Sequence, residues 1–231
     1  MISYDDFAER AAKIRLGIDT ACHNSGRKPE EVTLMAVTKS HPLDAVLYAH
    51  KFGLKTVGEN RVQEAVDKKT LCSVSLIWEL IGHLQSNKAA LAARHFDRIQ
   101  SVDSEKLLNH LNKAASDLNK TLPILLQINA GRDPAKFGAE IEDAPKLLEL
   151  ALSKSSLRVD GLMTIAPLSE NPDVAKMTFE SLRSIRDNLQ SSFKIQLPTL
   201  SMGMSGDYGL AIAAGSTLIR VGSALFGERE T

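Results

Sequence analysis

The sequence predicts an α/β protein built as a single (β/α)8 TIM barrel, and three observations predict it. Eight short apolar runs alternate with longer amphipathic ones along the chain, the pattern a parallel sheet with crossover helices imposes. The length of 231 residues is close to the ~250 that one such barrel takes. The turn after the first apolar run reads Thr38-Lys-Ser-His-Pro42, where an open, doubly wound sheet often carries a Gly-rich phosphate turn. Closure is inferred from the count of eight.

A leading helix over Tyr4–Asn24 follows from Phe7, Ala11, Ile14 and Ile18 sharing one face. Val32-Thr-Leu-Met-Ala-Val-Thr38 is the first strand, and the helix over 42–51 begins with Pro42, whose missing N–H is harmless in a first turn. Thr56-Val-Gly-Glu59 is the second strand, with a helix over 62–69; Leu76-Ile-Trp-Glu-Leu-Ile81 is the third, and Ser86 is read as the N-cap of a helix over 87–94. Arg98-Ile-Gln-Ser-Val102 is the fourth. Asp103 is read as capping a helix whose stripe is Leu107, Leu108, Leu111, Ala115 and Leu118. Pro123-Ile-Leu-Leu-Gln-Ile-Asn129 and Val159-Asp-Gly-Leu-Met-Thr-Ile165 are the fifth and sixth strands, separated by a helix over 143–152. A long helix over 173–190 is expected to bury Val174, Met177, Leu182, Ile185 and Leu189. Thr199-Leu-Ser-Met202 is the seventh strand, the helix over 206–214 stops at Gly215, and Thr217-Leu-Ile-Arg-Val221 is the eighth. No linker, repeat or low-complexity tract interrupts the series, so one domain over 1–231 is expected.

Composition narrows the function classes. Apolar residues make up 43% of the chain, and 28 basic residues balance 28 acidic ones. The basic excess that a phosphate backbone demands is missing, so no nucleic-acid partner is expected. Cys22 and Cys72 have no CxxC partner, which argues against a zinc site or disulfide framework and fits a cytoplasmic protein. No apolar run reaches the ~18 residues that span a membrane, and the acidic start is unlike a secretory signal.

In a barrel of this kind the chemistry sits at the carboxyl ends of the strands. The first strand ends in Lys39. A lysine directly after a buried run presents its amine to a partly dehydrated cup, where desolvation favours the neutral, nucleophilic form; taken alone, a rim lysine paired with a carboxylate is the commoner case. Asn60, after the second strand, is placed to bond a phenolic oxygen or to cap the next helix. His83, after the third, is either an acid–base group or a structural histidine. The seventh and eighth strands end in Ser201-Met-Gly-Met-Ser-Gly-Asp207 and Arg220-Val-Gly-Ser223, which supply glycines, hydroxyls and free N–H groups where barrels commonly bind phosphate. A phosphate site facing a lysine is what an aldehyde cofactor with a phosphate tail requires.

These residues also carry a resemblance. Ala36-Val-Thr-Lys39, Gly58-Glu-Asn-Arg-Val-Gln-Glu64, Ile81-Gly-His-Leu-Gln-Ser-Asn-Lys88, Gly161-Leu-Met163, Leu200-Ser-Met-Gly-Met-Ser205, Gly215-Ser-Thr-Leu-Ile-Arg-Val-Gly-Ser223 and Phe226-Gly occur in that order. The chain resembles the YggS/PROSC family of pyridoxal phosphate (PLP) homeostasis proteins, related to the barrel domain of alanine racemase. The resemblance implies the PLP fold type III, with pyridoxal 5′-phosphate as cofactor in a Schiff base on Lys39. It matches Ser205, Gly222 and Ser223 to the phosphate grip, Arg220 to the partner of the pyridine nitrogen, and Asn60 and Met163 to positions near the ring. An arginine keeps its proton and donates to an unprotonated ring nitrogen, which leaves the ring a poor electron sink and argues against transaminase chemistry.

Related racemases add a mostly β domain that brings a second base. Only 228–231 follow the last motif here, so no second β domain is expected. The expected function is therefore a PLP carrier or buffer in intracellular PLP homeostasis without substantial turnover. Its partners are expected to be PLP itself and apo-PLP enzymes, and the family points to a monomer. An amino acid racemase, and a non-catalytic interaction module with an empty barrel, are the alternatives.

Overall fold

The computed structural model describes residues 2–227; Met1 and positions 228–231, the short tail after the last motif, lie outside the described residues. Eight parallel strands close into a barrel in chain order: β1 (Thr33–Val37), β2 (Thr56–Glu59), β3 (Ile77–Leu80), β4 (Arg98–Val102), β5 (Leu122–Gln127), β6 (Leu157–Met163), β7 (Thr199–Ser201) and β8 (Leu218–Val221). Closure is made by β8 pairing with β1, with Leu34 opposite Ile219 and Ala36 opposite Val221. Each strand except the last precedes a major helix: α2 (Leu43–Lys51), α3 (Val62–Leu71), α4 (Ala89–His95), α5 (Glu105–Asp117), α6 (Ala144–Leu152), α7 (Pro172–Phe193) and α8 (Tyr208–Ala213). Strands walled by helices outside and by side chains inside are buried on both faces, which is why they read as continuous apolar runs. At β6 and β7 the backbones approach so closely that a Cβ on Gly161 (φ +156°) would lie 1.9 Å from the Thr199 carbonyl oxygen. Only glycine fits there.

The leading helix α1 (Tyr4–Asn24) starts at Ser3, whose hydroxyl accepts from the Asp6 N–H, and buries Phe7, Ala11, Ile14, Ile18 and Cys22. Phe7 stacks on Phe226 with ring centroids 5.1 Å apart. Phe226 closes α9 (Ser223–Phe226), a single turn after β8 that the periodicity does not predict, because four residues carry no period. A Cβ on Gly17 would meet the Tyr208 hydroxyl at 2.2 Å, so α1 also lies tight against the start of α8. The leading helix thereby braces both segments that follow the last two strands.

Four expectations of detail change. Ser86 is the first residue of a 3-10 turn, Ser86–Lys88, and Gln85 holds the cap position without a side-chain bond. Asp103 does not cap α5: Ser104 stays extended (φ −151°, ψ 151°), which leaves Asp103 one residue early, and its carboxylate stands 3.9 Å from the His83 imidazole instead. Leu118 is the residue just past the end of α5, half-buried but still packed against the core, and Ala114 joins the buried face. Met177 is 68% exposed, and Val174 and Ile185 are only half-buried. The buried face of α7 runs through Thr178, Phe179, Leu182 and Leu189, and at 3.6 residues per turn Met177 sits about 100° round the axis from Thr178.

Helix α7 is capped by Asn171, whose side-chain oxygen accepts from the Asp173 N–H at 3.0 Å, with Pro172 in the first turn. Asn171→Ala is expected to cost about 1 kcal/mol, lowering the melting temperature by roughly 2–4 °C in thermal unfolding followed by circular dichroism. Among the described residues no helix is long and apolar enough to cross a membrane.

Candidate functional site

A cavity of about 780 Å3 opens at the carboxyl ends of the strands, within the ~300–1,000 Å3 range of small-molecule sites. Its wall includes Lys39, Asn60, Ser205, Arg220, Gly222 and Ser223. Met163, the seventh residue singled out from sequence, ends β6 fully buried and is not part of the wall, where Ile165 stands instead. A second depression of about 850 Å3 lies between α1 and α8, but it is a shallower groove and holds no strand-end lysine or arginine. The chemistry belongs to the first.

Lys39 is half-buried two residues past the end of β1. The backbone on either side of it is tied down. The Lys68 ammonium donates to the Thr38 carbonyl at 2.7 Å, the Thr38 hydroxyl donates to Glu59 at 2.6 Å, and the Ser40 N–H donates to Glu64.

Arg220 projects from β8 and is 4% exposed. It donates to the Ser201 hydroxyl at 2.7 Å and to the Thr164 carbonyl at 2.8 Å. The Ser201 hydroxyl donates to the Gln100 side-chain oxygen (2.6 Å), the Gln100 amide donates to Glu79 (2.7 Å), and Arg98 closes the chain on both oxygens of Glu79 (2.7 and 2.8 Å). Burial pushes the Arg220 guanidinium down to about 10, while Asp207 and Glu79 pull it back up. At neutral pH it stays a cation and a donor.

The cavity wall also includes the segments after β7 and β8. The Ser205 hydroxyl oxygen accepts from the Ala224 N–H at 3.2 Å and pairs with the Ser223 hydroxyl at 3.1 Å. Whichever way that pair is oriented, one hydroxyl proton is left over to donate. Gly203 (φ +95°) turns the loop, and a Cβ there would lie 2.5 Å from the Ala211 methyl. A Cβ on Gly222 would come within 3.3 Å of Val37, so a side chain would crowd the floor between the serines and β1. Asp207 holds the loop by accepting from the Met204 N–H at 2.6 Å, and burial raises its carboxyl above the usual range.

The rim is completed by the loop over 131–139. Phe137 stacks on His83 with ring centroids 3.9 Å apart and planes 13° from parallel, and Gln127 donates to the Phe137 carbonyl at 2.8 Å. Stacking with an aromatic ring, and the Asp103 carboxylate 3.9 Å away, place His83 in the wall of the mouth. Sequence reasoning passed over Phe137, Gln127, Thr38, Glu59, Lys68, Ser201 and Gln100. The one available signal was Gln100 and Ser201, polar residues inside otherwise apolar strands.

The alanine racemase N-terminal domain model matches residues 27–230. A relative from Aquifex aeolicus named pyridoxal phosphate homeostasis protein is 38% identical over 223 residues, covering 96% of this chain and 98% of the relative. One of the same name from Escherichia coli K12 is 38% identical, covering 98% of each. Among solved structures, PipY of Synechococcus elongatus aligns in its form without PLP at TM-score 0.86 and 39% identity, over 96% of this chain and all of PipY. The form described as having PLP bound aligns at TM-score 0.84 and 37% identity. Alanine racemase from Clostridium difficile shares the fold alone, at 12% identity and TM-score 0.76, over 95% of this chain and 57% of the racemase.

Proposed function

This chain belongs to the alanine racemase N-terminal domain family, and within it to the pyridoxal phosphate homeostasis proteins; from that premise we propose that it binds pyridoxal 5′-phosphate on Lys39 and acts in PLP homeostasis as a carrier or buffer. The observation that carries the reading is the alignment of three unlike groups around one cavity. A lysine sits at the end of β1, a buried arginine on β8, and a hydroxyl pair with a spare proton lies beyond the last two strands. An aldehyde, a ring nitrogen and a phosphate ester on one small ring call for such a trio.

The residues present fit that group. The Ser205–Ser223 pair offers one hydroxyl donor to a phosphate, and Gly222, whose Cβ would crowd Val37, keeps that turn close to β1. The helices that start there are short, six residues for α8 and four for α9. Dipoles of that length add little, so hydroxyl and backbone donors must supply most of the grip. Arg220 offers its cation to the ring nitrogen, and Asn60 stands in the wall beside Lys39 for the ring's phenolic oxygen. When bound, the cofactor would supply an aldehyde, and Lys39 would offer the amine that holds it. The two relatives described above, both matched over nearly their whole length, are named for PLP homeostasis, which supports holding and releasing PLP over turning over a substrate. Delivery to apo-PLP enzymes, a cytoplasmic setting and a monomeric state are part of the same proposal.

The phosphate assignment is tested by removing one donor. Ser205→Ala is expected to weaken PLP binding about tenfold or more, since a hydrogen bond to a charged group contributes ~1.5–3 kcal/mol. Binding of pyridoxal, which lacks the phosphate, is expected to stay unchanged in the same fluorescence titration. Equal losses for both ligands would move the phosphate out of this loop. A robust racemisation of single amino acid enantiomers by the purified chain would replace the carrier reading with the enzymatic one.

A further inference from the structure

Beneath the Lys39 segment lies a group of charges that the cofactor reading does not use. Lys68 is 8% exposed, Glu59 is fully buried and Glu64 is 23% exposed by side chain. The Lys68 ammonium lies 2.8 Å from both Glu59 and Glu64. The second oxygen of Glu59 has no partner among the described residues. Burial pushes the Glu59 carboxyl up, and Lys68 and Thr38 pull it back. Burying three ionisable groups is costly, and such clusters add little net stability compared with apolar packing. The position of this one is informative.

Among the described residues, every side-chain hydrogen bond the cluster makes outside itself goes to the two neighbours of Lys39. Lys68 holds the Thr38 carbonyl, Glu59 holds the Thr38 hydroxyl, and Glu64 holds the Ser40 N–H. Ser40 is in the left-handed region, φ +60°, a conformation that costs a non-glycine residue about 1–2 kcal/mol and needs outside support. Glu64 and Lys68 lie one turn apart on α3, and Glu59 ends β2. The turn after β1 is thus anchored to the neighbouring strand and helix, with Lys39 suspended between two anchors. We propose that Lys68, with Glu59 and Glu64, is a positioning group that fixes the backbone on both sides of Lys39 and so sets where its amine meets the cofactor aldehyde. This rests on the reading that Lys39 is the residue that bonds PLP.

A group that positions the amine affects bond formation and leaves the cup itself intact. The discriminating pair of ligands is PLP and pyridoxine 5′-phosphate, which carries an alcohol in place of the aldehyde and cannot condense with an amine. With the full chain, Lys68→Met is expected to slow the visible absorbance change on adding PLP and to weaken PLP binding about tenfold to a hundredfold, the scale of misplacing a reacting group by ~1 Å. Its affinity for pyridoxine 5′-phosphate is expected to stay within about twofold of the parent, and Lys68→Arg to recover most of the loss. Glu64→Ala, at a partly exposed position, removes the acceptor of the Ser40 N–H and one of the three Lys68 bonds, and is expected to give the same selective effect about threefold in size. It carries the test if Lys68→Met fails to fold.

Parallel losses for the two ligands in the folded variants, or no loss for either, would overturn the proposal. A parent protein whose borohydride-fixed label maps away from Lys39 would instead overturn the cofactor assignment. The two failures are distinct.

Discussion

Lys39→Ala is expected to abolish the borohydride-fixed pyridoxyl label and to weaken retention of PLP by at least about a hundredfold, ~2.8 kcal/mol at 1.4 kcal/mol per decade. The cavity wall holds a second lysine, Lys136, on the loop after β5, so the experiment has an internal comparison. Lys39 follows β1 by two residues, its flanking backbone held by Lys68 and Glu64. Lys136 stands nine residues past Gln127 at the end of β5, on a segment tied by Gln127 to the Phe137 carbonyl. A lysine that must meet an aldehyde at fixed distance belongs on the first kind of support, because geometry held to a fraction of an ångström is what makes the bond favourable. Peptide mapping of the reduced adduct is therefore expected to place the label on Lys39 in the parent and in Lys136→Ala, and nowhere in Lys39→Ala. A reducible chromophore that survives Lys39→Ala and disappears in Lys136→Ala would transfer the role to the loop.

The largest loss of stability is expected from Glu79→Leu. Glu79 is 3% exposed and accepts from both Arg98 and Gln100, the inner end of the relay that reaches Arg220. Leucine removes the acceptor, leaving the buried Gln100 amide without its partner and the half-buried Arg98 guanidinium with only Thr199 and, at 3.8 Å, Asp160. Breaking one side of a buried ion pair costs about 3–5 kcal/mol, which lowers the melting temperature of a chain this size by roughly 10 °C. Thermal unfolding followed by circular dichroism checks it. Glu79→Gln keeps an acceptor and the volume, so a smaller drop separates lost charge from lost packing. A melting temperature for Glu79→Leu within about 2 °C of the parent would show that the relay does not support the barrel.

How much was legible in the sequence follows from the range of each interaction. The eight strands and the leading helix are set by period and by burial on both faces. A period survives any small shift of register, so the apolar face of α1 is read correctly from Phe7 to Ile18. Element edges depend on single caps. Asp103 and Ser86 looked like caps and are not, because one extended residue at Ser104 and one 3-10 turn at Ser86–Lys88 displaced the helix starts. Met177 was misplaced for a related reason: a long helix offers two overlapping stripes, and only the surface it packs on chooses between them.

The site divides the same way. Lys39, Asn60, Ser205, Arg220, Gly222 and Ser223 were legible because strand ends converge on one mouth in this fold, and all six line one cavity. The partners that hold them were not. Gln100 and Ser201 are 101 residues apart, and Lys68 reaches a carbonyl 30 residues away.

By itself the sequence determined the barrel and placed the lysine, the arginine and the glycine-serine turns at its carboxyl end, since local period and strand-end position need no knowledge of distant contacts. Only the tertiary structure decided which buried polar groups fix those side chains in place. A hydrogen bond depends on a separation of about 3 Å between atoms that the chain brings together only after the barrel has closed.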